Sequence, residues 1–397
     1  MAGPQRGSIT MRRRDGMIDR NEAITLLSDL VRIPSVNPHL EGGAGEGALA
    51  RYLAEFLRGL ALAPVVTEVK PGRPNVLATV PGNSGGRHLL FEAHLDTVSP
   101  SYGQVEPFVP RLEGDRLYGR GACDTKASMA AMLLALKSVI ASRERTARIS
   151  VAFCVGEEIG FEGARHLAAS GFRADGAVVG EPTGLDVVPA HKGVVRWRMA
   201  TNGRSAHSST PEVGINAIGM MARLIMALEE RLIPELEQRR HPLLGSPTLS
   251  VGRIAGGREV NVVPDRCTID LDRRLLPGEN WARVRGELDR VLSSLEGEVP
   301  DFPVTIESPY LETPGMETPV DSEVVRVAEE AVRRIDGRHP VRGVAYCTDA
   351  TCFAAAGIPC VVLGPGHIEQ AHTSSEYVEI RQVVKGAAIY RELMLGV

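Results

Sequence analysis

Residues 151–160 read VAFCVGEEIG. The run from Val151 to Val155 has the length and apolar content of a buried strand, and two adjacent acids, Glu157 and Glu158, follow it. Burying ionised carboxylates is costly unless they are paired or bound to a cation. A stable fold has no need of two acids in a row at the end of a core strand, so the pair marks a site.

Working outward, short β-rich runs alternate with helical patterns. NVLATV (75–80), HLLFEAHLD (88–96), ISVAFCVG (149–156) and GAVVGEP (176–182) read as strands. NEAITLLSDLVRI (21–33), with Asn21 as its N-cap, KASMAAMLLALKSVIAS (126–142) and EGARHLAAS (162–170) read as helices. That alternation predicts an α/β sheet covered on both faces. Between about 190 and 308 the order becomes β-α-β-β-α-β: VVRWRMATNG (194–203), a helix over 216–238 kinked by Pro234, PTLSVGRIAGG (247–257), RCTIDLDRRLLP (266–277), a helix over 279–297, and VTIESPY (304–310). This is the ferredoxin-like order. The first pattern then resumes with a helix over 321–336 and the strand CVVLGPG (360–366). The expected organisation is a leader at 1–16, disordered, then an α/β catalytic domain over 17–189 and 309–397 with a mixed sheet, interrupted by a smaller domain at 190–308.

A chain of 397 residues is long for one compact core and agrees with two domains. Net charge is −4 with both signs scattered, which argues against a nucleic-acid surface or a polybasic membrane anchor. The cluster Arg12-Arg13-Arg14 is followed by no apolar stretch of signal-peptide type, and no apolar run approaches the roughly 20 residues needed to span a bilayer. The six cysteines form no CxxC pair, which fits reduced thiols in a cytoplasmic protein.

Metal-ligand residue types sit just past the apolar strands: His94 and Asp96 in HLDTV, Asp124 in GRGACDTK, Glu157 and Glu158, Glu181 in GEPT, and, far downstream, His372 in QAHTSSE. In open α/β sheets the crevice beyond the carboxyl ends of the strands is the usual ligand site. Each signal alone is common. Together, two histidines and several carboxylates suit two zinc ions that share a bridging carboxylate.

The motifs HLDTV, LYGRGACDTKASMAA, GEEIG, GEPTGLDVVPAHKG, RSAHSSTPEVGINAI and GPGHIEQAHTSSEYV resemble, in order and spacing, the dinuclear zinc amidohydrolases that include acetylornithine deacetylase, succinyl-diaminopimelate desuccinylase, aminoacylase and glutamate carboxypeptidase. The resemblance runs from about 20 to 395 and is nearest the acetylornithine deacetylase branch. It implies zinc-dependent hydrolysis of the amide of a small N-acyl amino acid, with desuccinylase or dipeptidase/carboxypeptidase activity as same-family alternatives. It implies two divalent ions per subunit, Zn²⁺ with Co²⁺ as a substitute, and a homodimer formed through the inserted lid domain. By resemblance His94 and Glu181 hold one ion, Glu158 and His372 the other, and Asp124 bridges them. Asp96 stands behind His94, where a carboxylate can accept the second ring N–H. Glu157 becomes the general base, so the two neighbouring acids divide two jobs. His207 is implied to reach the partner subunit's site and stabilise the oxyanion, while Asn261 and Arg274 grip the substrate carboxylate. Arg273 is the competing reading for Arg274. The turn Gly364-Pro365-Gly366 either contacts substrate or ends its strand, and Asp349 is a weak candidate for a cationic substrate side chain.

Overall fold

The structure, a computed structural model, describes residues 18–82, 86–142, 144, 146–298, 302–338 and 341–396. The leader expected at 1–16 lies outside them.

Nine strands form the large sheet, in the order Val65–Lys70, Arg73–Val80, Arg148–Cys154, His88–His94, Gly176–Val179, Cys360–Val362, Val187–His191 and Met316–Glu317, with Val341–Val344 also paired to Val187–His191. Four central strands, Arg148–Cys154, His88–His94, Gly176–Val179 and Cys360–Val362, run parallel, so their carboxyl ends share one edge. The other strands join antiparallel, apart from Val341–Val344, which runs parallel to Val187–His191, and the sheet is therefore mixed. Alternation splits the side chains between two layers: Phe91, Ala93, Ile149, Val151 and Phe153 face one core, and Leu90, Ala152 and Cys154 the other. On the first face the helix Lys126–Ser142 packs between Arg20–Arg32 and Ile380–Met394. It is apolar almost all round, as a helix covered on all sides must be. Asp19 caps Arg20–Arg32 by accepting from Glu22 N at 2.9 Å; the expected cap, Asn21, lies inside the helix, two residues too late.

The small sheet has the order Thr248–Gly256, Arg266–Leu275, Gly193–Asn202 and Val304–Ile306, all antiparallel, and Leu311–Thr313 also pairs with Gly193–Asn202. Ala217, Leu224, Val284 and Leu288 from its helices pack on Trp197, Ile269 and Leu271, which gives it a core of its own. Near Pro234 the helix persists through five residues of π geometry, Leu228–Leu232, rather than a sharp kink. Proline lacks the N–H that an α-helix would use there, and widening the turn accommodates the loss. We propose that the inserted unit spans 193–313, slightly later than 190–308, because Val187–His191 pairs in the large sheet and Leu311–Thr313 in the small one. The two crossing segments touch: a Cβ on Gly193 would lie 2.4 Å from Gly315 N, so glycine is required where they pass. Among the described residues no helix is long and apolar enough to cross a membrane.

Leu133 is fully buried in the central helix. Leu133→Ala should cost about 2–5 kcal/mol by denaturant unfolding, whereas Leu112→Ala, at an exposed site, should stay within about 0.5 kcal/mol.

Candidate active site

The parallel strands deliver His94, Glu157, Glu158 and Glu181 to one edge. Asp124 arrives on the loop before the central helix, and His372 on the segment after Cys360–Val362. Two ligand groups result. His94, Glu157 and Glu181 form one and Asp124, Glu158 and His372 the other, the offered atoms of each lying within 4.8 Å of one another. Asp124 joins them, with Oδ1 3.0 Å from His94 Nε2 and Oδ2 3.2 Å from His372 Nε2. Glu181 Oε1 stands 3.7 Å from His94 Nε2, and Glu158 Oε1 3.2 Å from His372 Nε2. The adjacent glutamates therefore diverge, one to each group.

Asp96 holds this turn in place. Its Oδ1 accepts from the backbone N–H groups of Gly156 and Glu157, both at 3.0 Å, and Oδ2 accepts from Glu158 N at 3.1 Å and Asn37 Nδ2 at 2.7 Å. Three consecutive amides on one carboxylate leave the turn little freedom. The expected bond to His94 takes a different form: Nδ1 lies 2.9 Å from the Asp96 backbone carbonyl and 3.6 Å from the carboxylate, whose oxygens are committed to the amides. Burial works to raise the Asp96 carboxyl, but His94 and Asn37 overcome it and leave it low.

A second carboxylate, Glu376, does the same for the Asp124 loop, and the sequence reading passed over it. Its Oε1 accepts from Cys123 N and Asp124 N, both at 3.0 Å, and Oε2 from Gly121 N at 3.0 Å and Arg120 Nη1 at 2.5 Å. Glu376 and Arg120 are both buried. The available signal was an acid four residues after His372 in a stretch already suspect.

The electrostatics ask for a cation. Burial pushes the Glu157 and Glu181 carboxyls well up, neighbouring carboxylates add to the shift, and His94 opposes it. Hydrogen bonds to Asp124 and Glu158 raise the His372 imidazole to about 10. His94 is also held well above its ordinary range, Glu181 and Asp124 outweighing its burial. Protons on the histidines thus occupy the place of positive charge among four crowded acids. Two nitrogen and several carboxylate donors, with one carboxylate between the groups, fit two divalent ions. Cys123 is buried, its thiol pushed well up by that burial, and it points at the His367 carbonyl at 3.5 Å, not into the site.

A cleft of about 470 Å³ lies over the ligands, closed opposite by Val194, Arg196, Arg274, Tyr310 and Leu311 from the small sheet. Strand Arg266–Leu275 alternates, so Arg273 points inward to Glu279 and Glu287 while Arg274 faces the cleft. His207 and Asn261 come together, Ser208 N donating to the Asn261 carbonyl at 3.0 Å, but neither lines the cleft of its own chain. Gly364 and Gly366 are not among the residues lining it, and their close packing fits the alternative in which the turn ends its strand. Their amides donate to Thr183 Oγ1 and Gln382 Oε1, and a Cβ would strike the Glu181 carbonyl or Cys123 Sγ at 2.5 Å. Asp349 is fully buried beside Glu92, so it meets no substrate side chain.

A profile of peptidase family M20/M25/M40 matches residues 90–396. The chain belongs to that family. It is 33% identical over 365 residues to the acetylornithine deacetylase of Photorhabdus laumondii, covering 90% of this chain and 92% of that one. Among solved structures it is similar to aminopeptidase PepT of Bacillus cereus (TM-score 0.81, 23% identity, covering 96% of this chain and 99% of that one). It is also similar to a dinuclear metal-binding peptidase of the M20 family from Bacillus subtilis (TM-score 0.71, 18% identity, covering 95% and 97%). The mixed α/β fold is the one seen in those structures, and the chain is a hydrolytic enzyme of this family.

Metal and protons compete for the two histidines, whose imidazoles the neighbouring carboxylates hold above their ordinary range. Metal binding should therefore release protons, and affinity should fall about tenfold per pH unit for each proton displaced. Calorimetry at pH 6 and 8, in buffers of different ionisation heat, reads both quantities; pH-independent affinity would contradict the protonation just described.

Proposed function

We propose that this protein hydrolyses the amide bond of an N-acyl amino acid, releasing a carboxylate and the free amino acid. The observation that carries the reading is the pair of ligand groups joined through Asp124, with Arg274 facing them across the cleft. The identity to acetylornithine deacetylases supports a deacylase over a peptidase. His94, Asp124, Glu158, Glu181 and His372 would hold two divalent ions, Zn²⁺ or Co²⁺. When bound, such ions supply positive charge that makes water more acidic and polarises an amide carbonyl.

The chain's own residues do the rest. Arg274 offers a planar fork to the α-carboxylate and sets the scissile amide toward the ligand groups. Glu157 accepts a proton from the attacking water at its carboxylate oxygen, then delivers it to the departing nitrogen as the C–N bond breaks. Its raised pKa suits a group that must take a proton and give it back. Asp96 keeps Glu157 and Glu158 aimed apart throughout.

The oxyanion donor is His207. Its Nδ1 is engaged by Ser209, 2.7 Å from Oγ and 3.2 Å from the donating backbone N–H, which leaves Nε2 to meet an oxyanion. Since His207 lies outside its own cleft, we assign it to the partner subunit's cleft in a homodimer. Support comes from the exposed edge strand Thr248–Gly256, with Ile254 outward, and the bare Ile218 and Met226 on the adjacent helix.

Glu157→Gln should keep its metal, by elemental analysis, and lose roughly 10²–10⁴ in kcat on an N-acetyl amino acid. Near-normal turnover would remove Glu157 from this role. Mixing inactive His207→Ala with inactive Glu157→Gln should restore part of the activity, because one hybrid cleft regains both residues. No recovery, or a fully active monomer by light scattering, would overturn the shared site.

A further inference from the structure

We infer that Arg196 forms, with Arg274, a second anion receptor in the cleft, so that the preferred substrates are N-acyl amino acids with an acidic side chain. The inference rests on the deacylase reading above and specifies its substrate.

Arg196 and Arg274 project from neighbouring strands on the same face, Arg196 directly opposite Asp272 and Arg274 two residues beyond it. Asp272 bridges them: Arg196 Nε donates to its Oδ2 and Arg274 Nε to its Oδ1, each at 2.8 Å. One carboxylate thus holds two guanidinium groups side by side and leaves the three groups with a net positive charge. Both Nη groups of Arg196 and Nη1 of Arg274 have no partner among the described residues, and both side chains line the cleft. Two guanidinium groups held side by side by one carboxylate can each take one of the two acid groups of a short amino acid.

The opposite preference finds no receptor. The acids lining the cleft are Asp124, Glu157, Glu158 and Glu181, all of them in the ligand groups. Asp349 is buried and Asp272 is shared between two arginines. Among the described residues, none is left for an ammonium group on the substrate side chain.

The test is kcat/KM for N-acetyl-L-glutamate, N-acetyl-L-glutamine and N-acetyl-L-ornithine with the full chain supplied with Zn²⁺. Wild type should favour the glutamate over the nearly isosteric glutamine at least tenfold, about 1.4 kcal/mol, and the ornithine should be the poorest. Arg196→Gln should erase that ratio, mainly by raising KM for N-acetyl-L-glutamate. Arg198→Gln, on the same face but outside the cleft lining, should leave the ratio unchanged. If Arg196→Gln does not fold, Arg196→Lys carries the test: it keeps the charge, loses the fork, and should lower the ratio severalfold. Binding of L-glutamate and L-glutamine by calorimetry reads the same preference without turnover. Equal rates on glutamate and glutamine, a preference for ornithine, or a ratio that survives Arg196→Gln would overturn the inference with the deacylase intact. Hydrolysis of none of the three would instead remove the deacylase reading beneath it.

Discussion

Four acids and two histidines cannot share one sheet edge without opposing charge, and the local structure is arranged around that repulsion. Desolvation raises the carboxyls of Glu157, Glu158 and Glu181, so each would shed its charge if left to itself. The fold resists dispersal of the cluster by fixing backbone rather than side chains. Asp96 takes three consecutive amides of the glutamate turn, and Glu376 takes three amides of the Asp124 loop. In both cases a buried carboxylate is stabilised by charge-assisted bonds from N–H groups that a loop would otherwise leave unmet. The acids that face the cleft are thus held by acids that do not.

That arrangement explains which parts of the site were legible in the sequence. A strand end is visible because apolar alternation stops, and a ligand-type residue just beyond it stands out; His94, Glu157, Glu158 and Glu181 were all readable this way. Asp124 and His372 needed the whole pattern, since neither follows a long strand. Glu376 was not read because its partners are main-chain amides, which carry no sequence signature. The choice between Arg273 and Arg274 was available from period two alone: Cys267, Ile269 and Leu271 face the core, which sends Arg273 inward and Arg274 outward. Arg196 follows from the same rule once the pairing register is known, and pairing register is what a single sequence does not display.

The fold divides similarly. Long helices and the central strands have strong periodic signals. The strands Val187–His191, Met316–Glu317 and Val341–Val344 and the three-stranded sheet of Arg111–Glu113, Arg116–Tyr118 and Tyr377–Glu379 went unread. Most of them are two to four residues long, too short for alternation to register, and they are held by tertiary pairing rather than by propensity. Of the two readings of Gly364 and Gly366, the packing around them accounts for the one that ends the strand. Glycine beside a suspected site suggests a ligand approaching the backbone, whereas here the close neighbour is the protein itself, Glu181 and Cys123.

The division of labour between the two sheets has a chemical logic. The large sheet is parallel at its centre and therefore collects strand ends, which suits a cluster of acids acting on one bond. The small sheet is antiparallel and covered by helices on one face only, so its other face is free to present charged side chains in a fixed lattice. On that face Asp270 and Asp272 alternate with Arg196, Arg198 and Arg274 across two strands. Each arginine is oriented by a neighbour before any substrate arrives, so little rotamer freedom remains to be lost on binding. In the proposed reading the large sheet supplies the reacting end of the cleft and the small sheet the recognising end, and at Gly193 and Gly315 the two crossing segments pass in backbone contact.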